Sequence, residues 1–248
     1  MIKKITALTL FLTLTVSFAF TAYTPAEAAL PVEEVAANDE IAEPTAEEKI
    51  DLLYETFAAV NPNMPSRVSF TYAITGYNKL EAEEKIENRL LSIVDFSLPS
   101  TEKRLWILDM ETNEVIYHTY VSHGKNTGGN MATNFSNTPN SLQSSLGFYV
   151  TAETYYGKNG LSLFIDGMEE GFNSKARERY VVIHGADYAK EDSIKRLGRL
   201  GRSYGCPAVP SEVSKEIINK IKGGSALFIY HTSEDYLANS TYINSQAV

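Results

Sequence analysis

The apolar and polar positions of this chain change their rhythm several times. An apolar run extends from Ile5 to about Phe20, and residues 31–48 then carry few large apolar side chains. From Ile50 the period becomes helical: Ile50, Leu53, Tyr54, Phe57 and Ala58 share one face, and Thr45 with Glu48 three residues later forms a capping box, which predicts a helix over about 46–60. The next stretch, SRVSFTYAITGYNKL, fits two periods. Val68, Phe70, Tyr72 and Ile74 alternate as in a strand, whereas Phe70, Ala73, Ile74 and Tyr77 fit a helix, the reading preferred here. Glu81 to Arg89 is polar and reads as a helix end or a solvated turn.

From residue 90 the grain is β. LLSIVDFSL, RLWILDM, EVIYHTYVS, GFYVTAETYY, LSLFIDGM, YVVIHGA and ALFIYH are short, rich in branched and aromatic residues, and separated by turn chemistry. METNE (110–114) and YGKNG (156–160) read as hairpin connections. Two helical pieces are expected to interrupt the strands. One lies around 172–179 and the other at 212–222, where Val213, Ile217, Ile218 and Ile221 share a face and Gly223-Gly224 ends the run. The sum is a mainly β domain, a mostly antiparallel sandwich or barrel with short helices, preceded by an N-terminal helical segment.

Compartment and charge narrow the function. Lys3 and Lys4, the apolar run and Ala26-Glu27-Ala28 read as a secretory signal peptide over 1–28. That run is too short to span a bilayer comfortably, and no later stretch reaches the ~20 apolar residues a membrane helix needs. The expected address is the periplasm or cell-wall space of a bacterium. Residues 29–45 read as an acidic disordered linker, 46–89 as the helical segment, 90–232 as the functional domain and 233–248 as a tail. The formal net charge of -9 argues against nucleic acid, which requires clustered cations.

The candidate chemistry centres on Cys206, the single cysteine, in GRSYGCPAVP. A lone cysteine is either a small buried hydrophobe or a reactive thiol. Gly205 and Pro207 fix a turn with an open backbone, which suits a presented side chain better than a core one. Lys195, Arg196, Arg199 and Arg202 lie upstream, and positive charge beside the thiol would favour the thiolate. A nucleophile of this kind needs a base, and His184 ends the apolar strand RYVVIHGA. A histidine there is either satisfied in the core or held rigidly at the rim of the sheet. His123 and His231 could join His184 and Cys206 as zinc ligands, but no two of the four have the close spacing usual at zinc sites, so no metal and no cofactor is expected.

These residues also carry a resemblance. IHGADY followed by GRSYGCPAV resembles the YkuD-type murein L,D-transpeptidases, whose motif is His-Gly at a strand end and then Ser-His-Gly-Cys. VSHG, FSNTPNSLQSSLGFYVTAETYYGKNGLSL, EEGFN, VVIHGADY and GRSYGCPAVP are similar to the divergent murein L,D-transpeptidase catalytic domain family, over about residues 90–231. The resemblance implies a YkuD-like fold, Cys206 as acyl-accepting nucleophile and His184 as general base. It also implies that the Gly185 carbonyl orients the imidazole, that Ser203 is the motif serine, and that Gly205 and Cys206 offer N–H groups to an oxyanion hole. Tyr204 stands where the larger family has its second histidine, and Pro207-Ala208 replace the usual residues after the cysteine. SSLGFYVT resembles the strand that walls the substrate groove, which brings Ser145 and Tyr149, with His123 of VSHG, into the expected substrate site.

The implied reaction is acyl transfer from a stem tetrapeptide of peptidoglycan through a Cys206 thioester, with release of D-alanine. Arg199 and Arg202 are expected to hold the stem's carboxylates, an inference from charge and position. Two alternatives accompany this reading: an L,D-carboxypeptidase that uses water as acceptor, and a wall-binding protein that keeps the fold without turnover.

Overall fold

The computed structural model describes residues 43–244. The expected signal peptide (1–28), most of the expected linker (29–42) and the last four residues (245–248) lie outside the described residues.

Helix α1 (Ala46–Val60) starts at the capping box: the Glu48 N–H donates to Thr45 Oγ1 at 3.2 Å and the Thr45 N–H to Glu48 Oε2 at 2.7 Å. The ambiguous stretch is helix α2 (Arg67–Ala82), capped by Ser66. Burial settles its period. Phe70, Ala73, Ile74, Tyr77 and Leu80 face the core, while Val68, which an alternating strand would bury beside Phe70, is 55% exposed.

The strands are β1 (Leu90–Asp95), β2 (Leu105–Asp109), β3 (Glu114–Thr119), β4 (Gly147–Gly157), β5 (Gly160–Gly167), β6 (Val182–Ala186), β7 (Ala208–Pro210) and β8 (Ala226–Tyr230). They form one mixed sheet in the order β3-β2-β1-β8-β4-β5-β6-β7. Pairing is antiparallel except for β1 with β8 and β6 with β7. The chain beyond β3 returns to the far edge, where Ser122 and Ala208 exchange backbone hydrogen bonds at 2.8 and 3.3 Å. The sheet is thereby nearly closed, a barrel-like form that leaves little open edge.

Helix α2 packs on β1 and β8 from one side. Helix α4 (Ser211–Ile221) packs on β5, β6 and β7, with Ile217, Ile218 and Ile221 buried. Both expected hairpins, 110–114 and 156–160, connect paired strands. Two short helices, α3 (Glu191–Leu197) and α5 (Glu234–Asn239), complete the fold.

The expected helix at 172–179 does not form; the segment is a chain of turns. Gly171 takes a left-handed φ of 83°, and Asn173 spends its side chain on the Glu169 N–H and on the carbonyls of Leu146 and Phe148. Side-chain bonds to a backbone that is not helical outcompete the helix. Residues 233–244 are packed rather than free: Tyr236 and Tyr242 are buried, and Tyr236 donates its hydroxyl to the buried Glu169 at 2.9 Å.

Candidate active site

Strand β6 presents the first group. Val182, Ile183 and His184 are buried, and His184 lies between Ser162 of β5 and Ala208 of β7. The His184 Nδ1 is 2.9 Å from the carbonyl of Gly185. A carbonyl only accepts, so Nδ1 carries the proton and Nε2 keeps its lone pair. Burial lowers the basicity of the imidazole, and the Gly185 bond offsets part of that effect. Glycine at 185 answers to close approach, since a Cβ there would lie 2.5 Å from Ser214 Oγ of α4.

The second group comes from the turn before β7. Ser203 builds that turn: its hydroxyl donates to the Cys206 carbonyl at 2.6 Å and accepts the Gly205 N–H at 3.1 Å. Its own backbone is tied to the neighbouring loop, through the His123 carbonyl at 3.0 Å and the Lys125 N–H at 2.8 Å. Gly205 has φ 127°, and a Cβ would come 2.9 Å from the Gln143 carbonyl, so only glycine fits. Cys206 is partly exposed. Its Sγ receives the Val182 N–H and donates to the Tyr180 carbonyl, each at 3.5 Å. Tyr180 has φ 51°, the left-handed region, and its carbonyl reaches the thiol from there.

His184 and Cys206 open into one cleft of about 570 Å³. Tyr188, Leu197, Gly201, Ser203 and Tyr204 contribute to its wall, together with four cations, Lys125, Lys158, Arg199 and Arg202. No carboxylate lines it, and none of the four cations forms an ion pair among the described residues. In a chain of net charge -9, this is a local inversion of sign. Arg202 donates to the carbonyls of Lys125 and Gly128, and Arg199 to that of Leu200. The arrangement offers a thiol, an imidazole with an unengaged nitrogen, and an anion-attracting wall. Among the described residues, no three His, Cys, Asp or Glu side chains gather into a metal-holding group.

Several sequence expectations need correction. Burial pushes the Cys206 thiol up, against the expected lowering by the upstream cations. Lys195 is paired with Glu191 at 3.1 Å, and Arg199 and Arg202 line the cleft; the cation whose charge favours the thiolate is Arg179, which the sequence reading missed. The Gly205 N–H is spent on Ser203, so it is not free to serve an oxyanion hole; the Cys206 N–H makes no backbone–backbone bond among the described residues and leans on its own sulfur.

His123 does not line the cleft. It is buried, its Nδ1 accepts from Arg104 at 2.8 Å and its Nε2 lies 3.4 Å from the Gly128 carbonyl; burial and the Arg104 charge push it down to about 4. Ser145 and Tyr149 are interior as well, bonded to each other at 2.8 Å, so they do not wall the cleft. Tyr204 does line it, 72% exposed, with Lys125 Nζ 5.0 Å from its ring centre.

Fold and cleft together define a nearly closed mixed sheet with an imidazole on β6 and a thiol in the turn that leads into the neighbouring β7. Residues 62–230 match the family model described as the L,D-transpeptidase catalytic domain, and the chain belongs to that family. No curated protein matches significantly. Among solved structures, the chain is similar to an L,D-transpeptidase from Mycobacterium smegmatis, with 12% identity, TM-score 0.34, and 58% of this chain and 59% of that one covered. An Enterococcus faecium L,D-transpeptidase is similar at 18% identity and TM-score 0.32, covering 58% and 50%. One from Xylanimonas cellulosilytica is similar at 12% identity and TM-score 0.33, covering 73% and 93%. Of the mycobacterial and enterococcal chains, this chain spans only 59% and 50% of the length.

Proposed function

We propose that this chain is an exported, cysteine-dependent peptidoglycan L,D-transpeptidase. The observation that carries the reading is the shared cleft of Cys206 and His184, with His184 Nδ1 donated to Gly185 and its other nitrogen unengaged. The cysteine attacks the carbonyl of the third residue of a stem tetrapeptide. The S–H proton passes to His184 Nε2, the S–C bond forms, and the C–N bond to the terminal D-alanine breaks as His184 returns the proton to the leaving amine. The resulting thioester is then attacked by the side-chain amine of a second stem, which forms the crosslink and restores the thiol. The Cys206 N–H is the backbone donor available to the oxyanion, a contribution typically worth ~3 kcal/mol in the transition state. The acid-free wall of Lys125, Lys158, Arg199 and Arg202 suits the carboxylates of the stem.

The S–H of Cys206 points to the Tyr180 carbonyl, so attack begins with a rotation of the thiol towards His184. Export rests on the N-terminal pattern of Lys3, Lys4 and the apolar run, which supports delivery to the periplasm or cell-wall space.

The test is intact mass of wild type and Cys206→Ala after incubation with purified tetrapeptide muropeptides, with analysis of the released products. The expected result is a thioester adduct on wild type only, with crosslinked dimers. Tripeptides without dimers would assign an L,D-carboxypeptidase instead. Absence of both adduct and D-alanine release would leave a wall-binding protein on the same fold.

A further inference from the structure

We infer that Arg179 is the positioning residue of the nucleophile: its guanidinium, held against the turn of Gly205 and Cys206, supplies the positive field in which the thiolate forms. The inference rests on Cys206 being the nucleophile, and it concerns a residue that none of the sequence motifs singled out.

The geometry begins with how Arg179 is held. Its Nη1 donates to the Ser136 carbonyl at 2.7 Å and to Ser145 Oγ at 3.3 Å, and its Nη2 donates to the Gln143 carbonyl at 2.6 Å and to Ser141 Oγ at 3.3 Å. All four partners are neutral. No carboxylate pairs with Arg179 among the described residues, so its charge is fixed in place without being cancelled. Ser145 is braced from behind by the buried Tyr149, which gives these two residues a purpose although neither lines the cleft.

Proximity to the nucleophile follows from the same fixation. A Cβ built on Gly205 would lie 3.6 Å from Arg179 Nη2. The three residues after Arg179 complete the cradle, because Tyr180 turns its carbonyl to Sγ and Val182 donates its N–H there, each at 3.5 Å. One short segment therefore brings an acceptor and a donor to the sulfur and a charge to the turn that carries it.

The other groups around the thiol do not supply this field. His184 of β6 is held neutral by burial, and Tyr188, from the loop after β6, is pushed up to about 12 and stays protonated. Ser203 and Tyr204 of its own turn offer hydroxyls and no cation. Lys125 and Lys158 are exposed on the open cleft, where water screens them; Arg199 and Arg202 are half-buried like Arg179 but donate to the carbonyls of Leu200, Lys125 and Gly128, and it is Arg179 whose Nη2 lies against Gly205. Arg179 takes no proton itself; the thiol proton goes to His184.

The experiment is the rate of Cys206 alkylation by iodoacetamide as a function of pH, in wild type, Arg179→Gln and Arg179→Lys, each verified as folded by its circular dichroism and melting curve. Gln keeps two N–H donors without the charge; Lys keeps the charge without the fork. The expected result is a midpoint raised by about one pH unit in Arg179→Gln and near wild type in Arg179→Lys. An unmoved midpoint in Arg179→Gln, or an equal shift in both variants, would overturn the inference and leave Arg179 as a loop brace. If Arg179→Gln fails to fold, Ser141→Asp places a carboxylate beside Nη2 and should raise the midpoint by cancelling the charge; no shift there would overturn the inference equally. Alkylation needs no stem peptide, so its outcome is independent of the transpeptidase test.

Discussion

His123 and His184 look alike in sequence: each stands in or just after a β-rich stretch, VSHG or VVIHG, and precedes a glycine, Gly124 or Gly185. The structure separates them by the use of their second nitrogen. In His123 both nitrogens face protein, one accepting from Arg104 and the other directed to Gly128, so no lone pair remains for a substrate. In His184 one nitrogen is committed to Gly185, and the ring lines a cleft with its other nitrogen unengaged among the described residues. A motif histidine becomes a base through what it leaves unbonded, and its neighbours in space decide that.

The largest effect tests this contrast directly. Cys206→Ala should abolish thioester formation, and His184→Ala should lower the acylation rate by about 10²–10⁴-fold while leaving the fold intact. His123→Ala should do the reverse, with a loss of ~1–3 kcal/mol in urea unfolding from the lost hydrogen bond to buried Arg104 and a near-normal rate per folded molecule. Equal rate losses in the two variants would break the comparison.

Next in size is Ser203→Ala. The hydroxyl ties Gly205 to Cys206, so its loss lets the nucleophile turn move. A fall in kcat of roughly 10–100-fold with little change in KM is expected from steady-state kinetics. Arg199→Gln should instead raise KM about tenfold at unchanged kcat, because a charge-assisted contact to substrate is worth ~1.5–3 kcal/mol.

The contrast also carries a pH signature. His123, held near 4 when folded against an unfolded value of 6.5, leaves the unfolded chain binding more protons below pH 6.5. Folding stability should therefore fall as pH drops from about 6.5 towards 4, by on the order of 3 kcal/mol from this residue. Urea midpoints of wild type and His123→Gln across that range should converge at acidic pH. His184, lowered in the same direction, is the free base at neutral pH, so acylation should decline on the acid side as the ring is protonated. The smallest effect belongs to Tyr204→Phe: the ring is exposed and its hydroxyl has no partner among the described residues, so activity should change less than about threefold, under ~0.7 kcal/mol.

Much of this could be read along the chain because it is local chemistry. The Thr45 and Glu48 capping box, the apolar face of Ile217, Ile218 and Ile221, and the hairpins at 110–114 and 156–160 are decided by residues a few positions apart. The pairing of His184 with Ala208 brings Cys206 into the same cleft, although the strand does not end at the histidine as its sequence suggests: β6 runs on to Ala186, which pairs with Pro210 of β7. The segment at 172–179 was misread because Asn173 is bonded to Leu146 and Phe148, more than twenty positions away.

What the amino-acid sequence determined by itself was the alternation of strands, the principal helices and the kinds of chemical group available. Only the tertiary structure decided which groups meet. Ser145 and Tyr149 belong to the stretch SSLGFYVT that resembles a groove wall, yet Arg179 docks on Ser145, just before β4, from 34 positions away, and both Ser145 and Tyr149 are buried. Of the upstream cations that seemed poised over Cys206, Arg199 and Arg202 line the cleft and Lys195 pairs with Glu191, while Arg179 reaches the turn of Gly205 and Cys206. Charge acts through distance in space and burial acts through covering atoms, and neither is a function of separation along the chain.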